Sequence, residues 1–315
     1  MNRTGIRTRD LVRNLLSRVN PRAKSLVVTV FGDSILPLGG GIWLGELIKL
    51  MEFLGLRERN TRTAVYRLVQ DGLLSAIQSG RRSYYSLTDN GMRQCEAAST
   101  RIYATRDGIW DGKWTKVWLA KEIEPARRDT LIQELGWQGF AGLNRNFIVR
   151  PGRDDGFASV AINALNLDDQ TMVLAAECVE KKKAITAARN LVAELWNLKD
   201  LARDHEAFNE VFRPLARTLA EGGEISPVES FTVRTLLIHD YRRVVLRDPM
   251  LPCDLLPANW PGLEAAELAG IIYRAVDKAA KQCISTYHTD FVHIEGRRDQ
   301  ASIERFNCTR KTSPA

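Results

Sequence analysis

The residue types that carry out covalent or acid–base chemistry are few in this chain and poorly placed for it. Its four histidines, His205, His239, His288 and His293, leave a short choice of general bases. Five cysteines, Cys95, Cys178, Cys253, Cys283 and Cys308, are odd in number and never form a Cys-x-x-Cys pair, as expected of reduced thiols in a cytoplasmic protein. Cys283, His288, His293 and Cys308 can be drawn as a zinc set, but their intervals match no common zinc pattern, and no metal is expected. Gly39-Gly40-Gly41 lacks the Gly-Lys-Ser/Thr that completes a phosphate loop, and Leu44 stands where a dinucleotide fingerprint needs its third glycine. There is no Gly-x-Ser-x-Gly elbow. Asp154-Asp155 and Asp168-Asp169 read as solvated turn carboxylates. Nothing here argues for catalysis or for a cofactor.

What remains is arginine. The 315 residues carry a net charge of +7, and residues 1–112 hold all of it, with 17 Lys and Arg against 10 Asp and Glu. Fifteen of those 17 cations are arginine, whose planar fork suits phosphate and guanine. A basic first third on a neutral body fits either a nucleic-acid reader attached to something else or an arginine-rich surface with no partner. The sharper reading rests on the stretch Thr61–Leu68. Ala64, Val65, Leu68 and Val69 form the inner face of a helix, capped at Asn60 or Thr61, that presents Arg62, Thr63, Tyr66 and Arg67 outward. The first half of such a helix is the part that meets base edges in a major groove. Arg62 and Thr63 are therefore the base-reading candidates, and the amide region at Thr61 would favour a phosphate. Arg81 and Arg82, at the tip of a following hairpin, would reach the adjacent minor groove or backbone. The alternatives are an ion pair within the domain for Arg67 and a packing role for Tyr66.

These residues need a scaffold. Apolar periodicity gives a helix from Ser25 to Leu36, a second from Trp43 to Leu54 and the third just described; two strands, Leu73–Gln78 and Ser83–Thr88, then flank the turn Ser79–Arg82. Three helices followed by a hairpin form a winged helix-turn-helix pattern. Beyond Trp110–Trp114, strands and helices alternate as β-α-β-α-β, with an extra strand near Phe140, which fits a ferredoxin-like α/β domain. From Ala184 onward only helical periodicity remains, in segments at 185–203, 205–221, 227–246 and 263–283. The expected class is α+β. Its expected parts are a basic N-terminal arm (1–24), a winged-helix DNA-binding domain (25–108), a ferredoxin-like middle domain (109–183), an all-helical C-terminal domain (184–285) and a flexible tail (286–315). No apolar run reaches the roughly 18 residues of a membrane span, and no secretory signal is read at the N-terminus.

Several blocks carry a resemblance. Phe31-Gly32-Asp33-Ser34, Arg62–Leu68, Gly80–Thr88, Trp110–Trp114, Gly136–Phe140, His239–Arg243, Leu246–Pro252 and Leu255–Pro257, in that order, resemble the PaaX family, repressors of phenylacetate-degradation operons. The resemblance implies a cytoplasmic, dimeric transcriptional repressor that binds double-stranded promoter DNA at palindromic sites and leaves it on binding phenylacetyl-CoA or a related aryl-CoA. It also implies a middle domain similar to the Cas2 nuclease fold, without that fold's metal-binding Asp on the first strand. A CoA thioester brings phosphates and an aromatic acyl group, so Arg242, Arg243 and Arg247, read as lying on one helix, with His239, Tyr241, Trp137 and Phe140, are the effector candidates. The same arginines could instead stitch the helical domain to the middle one through Asp240 or Asp248. Two other functions stand beside the repressor. One is a CoA-thioester-processing or nucleic-acid-cleaving enzyme with a DNA-binding domain; the other is a constitutive DNA-binding scaffold without an effector.

Overall fold

The computed structural model describes residues 3–19, 21–104, 108–154, 156–287 and 305–306, with the side chains of 3–8 and 181–182 left aside. The chain groups into two compact units, neither contiguous in sequence. The first joins residues 1–105, 206–243 and 264–315; the second joins 106–205 and 244–263. Mixed helix and antiparallel sheet make the class α+β.

In the first unit, the expected N-terminal arm contains a long helix, α1 (Arg3–Val19), which buries Val12, Leu15 and Val19. The helix expected from Ser25 to Leu36 is three pieces. α2 (Ala23–Val30) runs into a π-helical turn at Phe31–Ile35 and a 3-10 turn at Leu36–Leu38 that stops at Gly39, left-handed at φ 102°. β1 (Gly41–Trp43), α3 (Leu44–Phe53) and α4 (Glu58–Gln70) follow. The hairpin strands are β2 (Leu74–Ser79) and β3 (Arg82–Leu87), and β1 joins them in a three-stranded antiparallel sheet of order β1-β3-β2. Gly41 faces Ser86 across the sheet, where a Cβ would collide with the Tyr84 hydroxyl. Thr88 caps α5 (Asp89–Ile102) by accepting a hydrogen bond from the Gly91 amide (3.0 Å).

The second unit follows β-α-β-β-α-β order. β4 (Lys113–Leu119), α6 (Pro125–Trp137), β5 (Ala141–Asn144), β6 (Phe147–Pro151), α7 (Phe157–Ala164) and β7 (Thr171–Glu177) build a sheet of order β5-β6-β4-β7 with every pair antiparallel. Beneath α6 and α7, Val117, Leu119, Leu131, Leu135, Ile148 and Ile162 close one core. A second core gathers Trp110, Trp114, Trp196 and Trp260 around α8 (Lys181–Leu195). Asp154 accepts from the Ala158 amide (2.9 Å) and so satisfies the start of α7, a structural task for a carboxylate read as a turn residue.

Three long helices, α9 (Leu198–Ala220), α10 (Pro227–Val245) and α11 (Pro261–Tyr287), complete the chain, and each is divided between the two units. The break between the first two helical segments read after residue 184 falls at Trp196–Asn197 rather than near residue 204. In the first unit α10 is buried nearly all round, with Phe231, Val233, Leu236, Leu237 and Ile238 inside, which is why its apolar stripe is weak as a sequence signal. Of the stretch read as a flexible tail, 288–304 and 307–315 lie outside the described residues, while Arg305 and Phe306 are both buried.

The charges inside this unit are organised around Asp33, in the π-helical turn. Its carboxylate accepts from Arg234 Nε (2.9 Å), Tyr103 Oη (2.6 Å), Tyr273 Oη (3.2 Å) and Arg305 Nη1 (3.3 Å). Burial alone would raise its pKa, but the two guanidiniums and the two hydroxyls outweigh that and hold it below the usual carboxylate range. Arg234 also reaches Asp277 (3.0 Å) and Ser34 (2.9 Å). Breaking one side of such a pair strands a charge, so Arg234→Ala should cost about 3–5 kcal/mol in urea unfolding, far more than an exposed arginine would. A second buried group faces α2. His239 Nδ1 lies 3.2 Å from Thr29 Oγ1, which accepts from Arg242 (3.1 Å); burial first, then Arg242 and Arg243, push its pKa down to about 4. The unfolded chain takes up this proton near pH 6.5 and the folded chain only near 4, so stability falls as pH drops through that window. Between pH 7 and 5 the loss from this group is about 2 kcal/mol. Thermal melts should show it, and His239→Gln should flatten the slope.

Candidate nucleic-acid interface

α4 begins at Glu58, not at a cap on Asn60 or Thr61. That shift of one turn places Thr61 inside the helix, fully buried, with its amide already bonded to the Arg57 carbonyl (3.1 Å). Its hydroxyl, 3.4 Å from the same carbonyl, also turns inward. Thr61 belongs to the inner face with Ala64, Val65 and Leu68, and the phosphate role read for its amide region has no free donor there. The opposite face is exposed along its length by Arg59, Arg62, Thr63, Tyr66 and Arg67. Tyr66, at 64% exposure, is not a packing residue. Thr63 Oγ1 donates to the Arg59 carbonyl (2.9 Å).

Arg62 is held by Glu58, one turn earlier, through Nε (2.8 Å) and Nη2 (2.7 Å). Both side chains are about half exposed, and such an i,i+4 pair is worth only about 0.3–0.5 kcal/mol, so the guanidinium is aimed outward at little cost to its release. Arg59, three residues earlier on the same face, extends the basic row. A helix capped at Asn60 or Thr61 leaves Arg59 in the turn before it; the start at Glu58 brings it onto the exposed face.

At the hairpin, Gly80 takes φ 58° and turns the chain so that Arg81 stands exposed at the tip. Arg82 is different. Its guanidinium lies 4.3 Å from the centre of the Trp43 ring and 3.7 Å from Glu46, so β1 and α3 seat it. Trp43 in turn meets Tyr84 edge-on at 5.3 Å. Arg82 thus stiffens the hairpin on its own domain, a partner set that sequence spacing does not display.

The residues read as effector candidates are divided. His239, Tyr241, Arg242 and Arg243 belong to the first unit and Trp137, Phe140 and Arg247 to the second. Phe140 is buried in the core under α6, where Arg150 lies 5.9 Å from its ring centre, and Trp137 is half exposed at the end of α6. Arg247 lies past the end of α10, not on it, and pairs with Asp204 (2.9 Å). Arg243 pairs with Asp240 (3.4 Å), while Asp248 accepts from buried His205 (2.7 Å) and the Met250 amide (2.9 Å). Among the described residues no group of three or more His, Cys, Asp and Glu could hold a metal. His288, His293 and Cys308 of the drawn zinc set, and Asp155, lie outside the described residues. No helix among them is long and apolar enough to cross a membrane.

With that geometry in place, comparison with known proteins is direct. The family model for PaaX-like protein matches residues 22–91, which contain α2 to β3, and the model for the PaaX-like protein C-terminal domain matches residues 196–286. The chain is 36% identical over 275 residues to the transcriptional repressor PaaX of Escherichia coli (strain K12), covering 87% of this chain and 86% of that protein. Uncharacterized protein Rv0674 from Mycobacterium tuberculosis is similar at 23% identity over 75% of this chain and 90% of its own, with a TM-score of 0.44. Matched near both ends by PaaX-like models and along most of its length by a repressor that is a regulator and not an enzyme, the chain belongs to the PaaX family.

Proposed function

We propose that this protein is a transcriptional repressor of phenylacetate-catabolism genes that holds promoter DNA through a winged helix-turn-helix and lets go on binding phenylacetyl-CoA or a related aryl-CoA. The observation that carries the reading is the outer face of α4, where Arg59, Arg62, Thr63, Tyr66 and Arg67 stand exposed on one side of a helix whose other side is buried. α2, α3 and α4 followed by the β2–β3 hairpin give the element order of a winged helix, and the β-α-β-β-α-β unit fits a ferredoxin-like middle domain.

In this reading α4 enters the major groove. Arg62 faces a base edge, where its fork matches the O6 and N7 acceptors of guanine, and Glu58 keeps it extended until DNA replaces the carboxylate. Arg81 reaches the neighbouring backbone or minor groove from the hairpin tip, and Arg82, seated on Trp43, fixes the angle at which that tip approaches. Two copies on a palindrome would present two such helices one turn of DNA apart. Release requires that the effector prefer an arrangement in which that spacing no longer matches. A differential of about 3 kcal/mol would weaken operator binding on the order of a hundredfold.

Fluorescence anisotropy against the promoter of the protein's own neighbouring genes, at fixed salt, tests the whole reading. Specific binding that is reversed by phenylacetyl-CoA and not by free phenylacetate is expected; binding no tighter than to random DNA would end it. In the same assay Arg62→Ala should lose about 1–3 kcal/mol and relax the preference at one base position. Arg81→Ala should weaken all sequences alike and lower the salt slope by about one. A uniform loss for Arg62→Ala would make that residue a backbone contact instead.

A further inference from the structure

Phe306 is enclosed by three tyrosine rings of the first unit. Its ring meets Tyr103, just past the end of α5, edge-on at 5.2 Å and lies tilted against Tyr273 of α11 at 5.3 Å and Tyr241 of α10 at 6.2 Å, and only 7% of the residue is exposed. Its carbonyl oxygen accepts from Arg274 Nη1 (2.7 Å). The backbone at this point is left-handed, φ 58°, a region that an L-phenylalanine enters only against steric resistance. The pocket therefore secures the ring and the carbonyl while the chain that delivers them is held in an unfavourable shape, as expected of a site fitted to the group and not to the strand carrying it.

What the pocket grips is a benzyl group with a carbonyl close behind it. We propose that this enclosure, lined by Tyr103, Tyr241 and Tyr273 with Arg274 at the carbonyl end, is the receptor for an arylacyl group, and that Phe306 is a built-in occupant which that group displaces. The proposal rests on the effector reading above and gives it a place. The neighbouring residue supplies the link to DNA. Arg305 Nη1 donates to the Asp33 carbonyl (2.7 Å) and carboxylate (3.3 Å) and to Tyr273 Oη (3.2 Å), and its guanidinium lies 4.6 Å from the centre of the Tyr103 ring. Adjacent on the chain, Arg305 leaves when Phe306 leaves. The Asp33 turn then keeps Arg234 but loses its second guanidinium, and that turn is the continuation of α2 beneath the DNA-facing helices. An arylacyl ligand thus binds only by exchanging one state of the turn for another, which is the differential contact that a ligand-driven release needs.

The test is a competition. Calorimetric titration of wild type, Phe306→Ala and Phe306→Leu with phenylacetamide, a benzyl group on a neutral carbonyl, and with phenylacetyl-CoA should show at least tenfold tighter binding to Phe306→Ala than to wild type, with Phe306→Leu between them. Adding Arg274→Gln to Phe306→Ala should remove most of that gain. A 4-fluorophenylalanine at position 306 should move its fluorine resonance toward the solvent value as phenylacetyl-CoA saturates. Equal affinity in wild type and Phe306→Ala, or no binding to any variant, overturns the proposal. Should Phe306→Ala fail to fold, Phe306→Leu and the fluorine label decide it, and an unmoved resonance at saturation overturns it. DNA release by the thioester with equal affinities would leave the effector reading standing and sink this site. Tighter phenylacetamide binding to Phe306→Ala without any DNA release would sink the effector reading and keep the site.

Discussion

A carboxylate sealed away from water must be compensated where it stands, and much of the first unit is arranged around that obligation at Asp33. The attraction between Asp33 and its guanidiniums is strong because the surroundings are dry, and for the same reason the arrangement tolerates no missing partner. Its partners come from the end of α5, where Tyr103 follows the last turn, from α10, α11 and the Arg305–Phe306 segment, up to 272 residues away in sequence. Chain entropy alone would keep such distant pieces apart; a shared charge that none of them can abandon gives them one common position. The turn that carries Asp33 leads from α2 toward β1, so whatever disturbs the charge also disturbs the elements on which α3 and α4 rest.

Surface chemistry and interior chemistry differed in how much of themselves they showed in the sequence. The outer face of α4 was legible because amphipathic periodicity separates inside from outside with no knowledge of partners, and Arg62, Thr63, Tyr66 and Arg67 are exposed as that period requires. Thr61 failed at the boundary: a threonine before an apolar run looks like a cap, but the helix starts a turn earlier and the residue is swallowed. The hairpin arginines were placed correctly at a turn, yet only one of them is presented freely, because the ring that seats Arg82 lies 39 positions away on another strand. Of the four strands in the second sheet, Ala141–Asn144 leaves the faintest mark in the sequence, because four residues with a single large apolar side chain, Leu143, are too few to show alternation.

The interior was nearly silent. Asp33 stands in the sequence as one letter of a family block, with nothing to mark it as buried, and Arg234 is one polar letter in a helix with little apolar contrast. Buried charges announce themselves only in pairs, and these pairs are separated by hundreds of residues. The effector candidates show the same limit. A run such as His239–Arg243 is conspicuous as text, but within it His239 and Arg242 face Thr29, Arg243 faces Asp240, and Tyr241 turns to Phe208 (5.4 Å between ring centres) and Phe306.

The π-helical turn at Phe31–Ile35 holds one more residue than an α-helical turn would, with the Leu36 amide reaching back to the Phe31 carbonyl. Such a turn takes up the surplus residue as a local bulge, without rotating the chain that follows. What the bulge fixes is the bearing of Asp33 itself: losing a residue between Phe31 and Asp33 would turn the carboxylate by about 100° around the helix axis, away from Arg234, Tyr103 and Tyr273. Along this stretch the residue count and the charge therefore meet the same limit, since each is needed to keep one carboxylate where its partners converge.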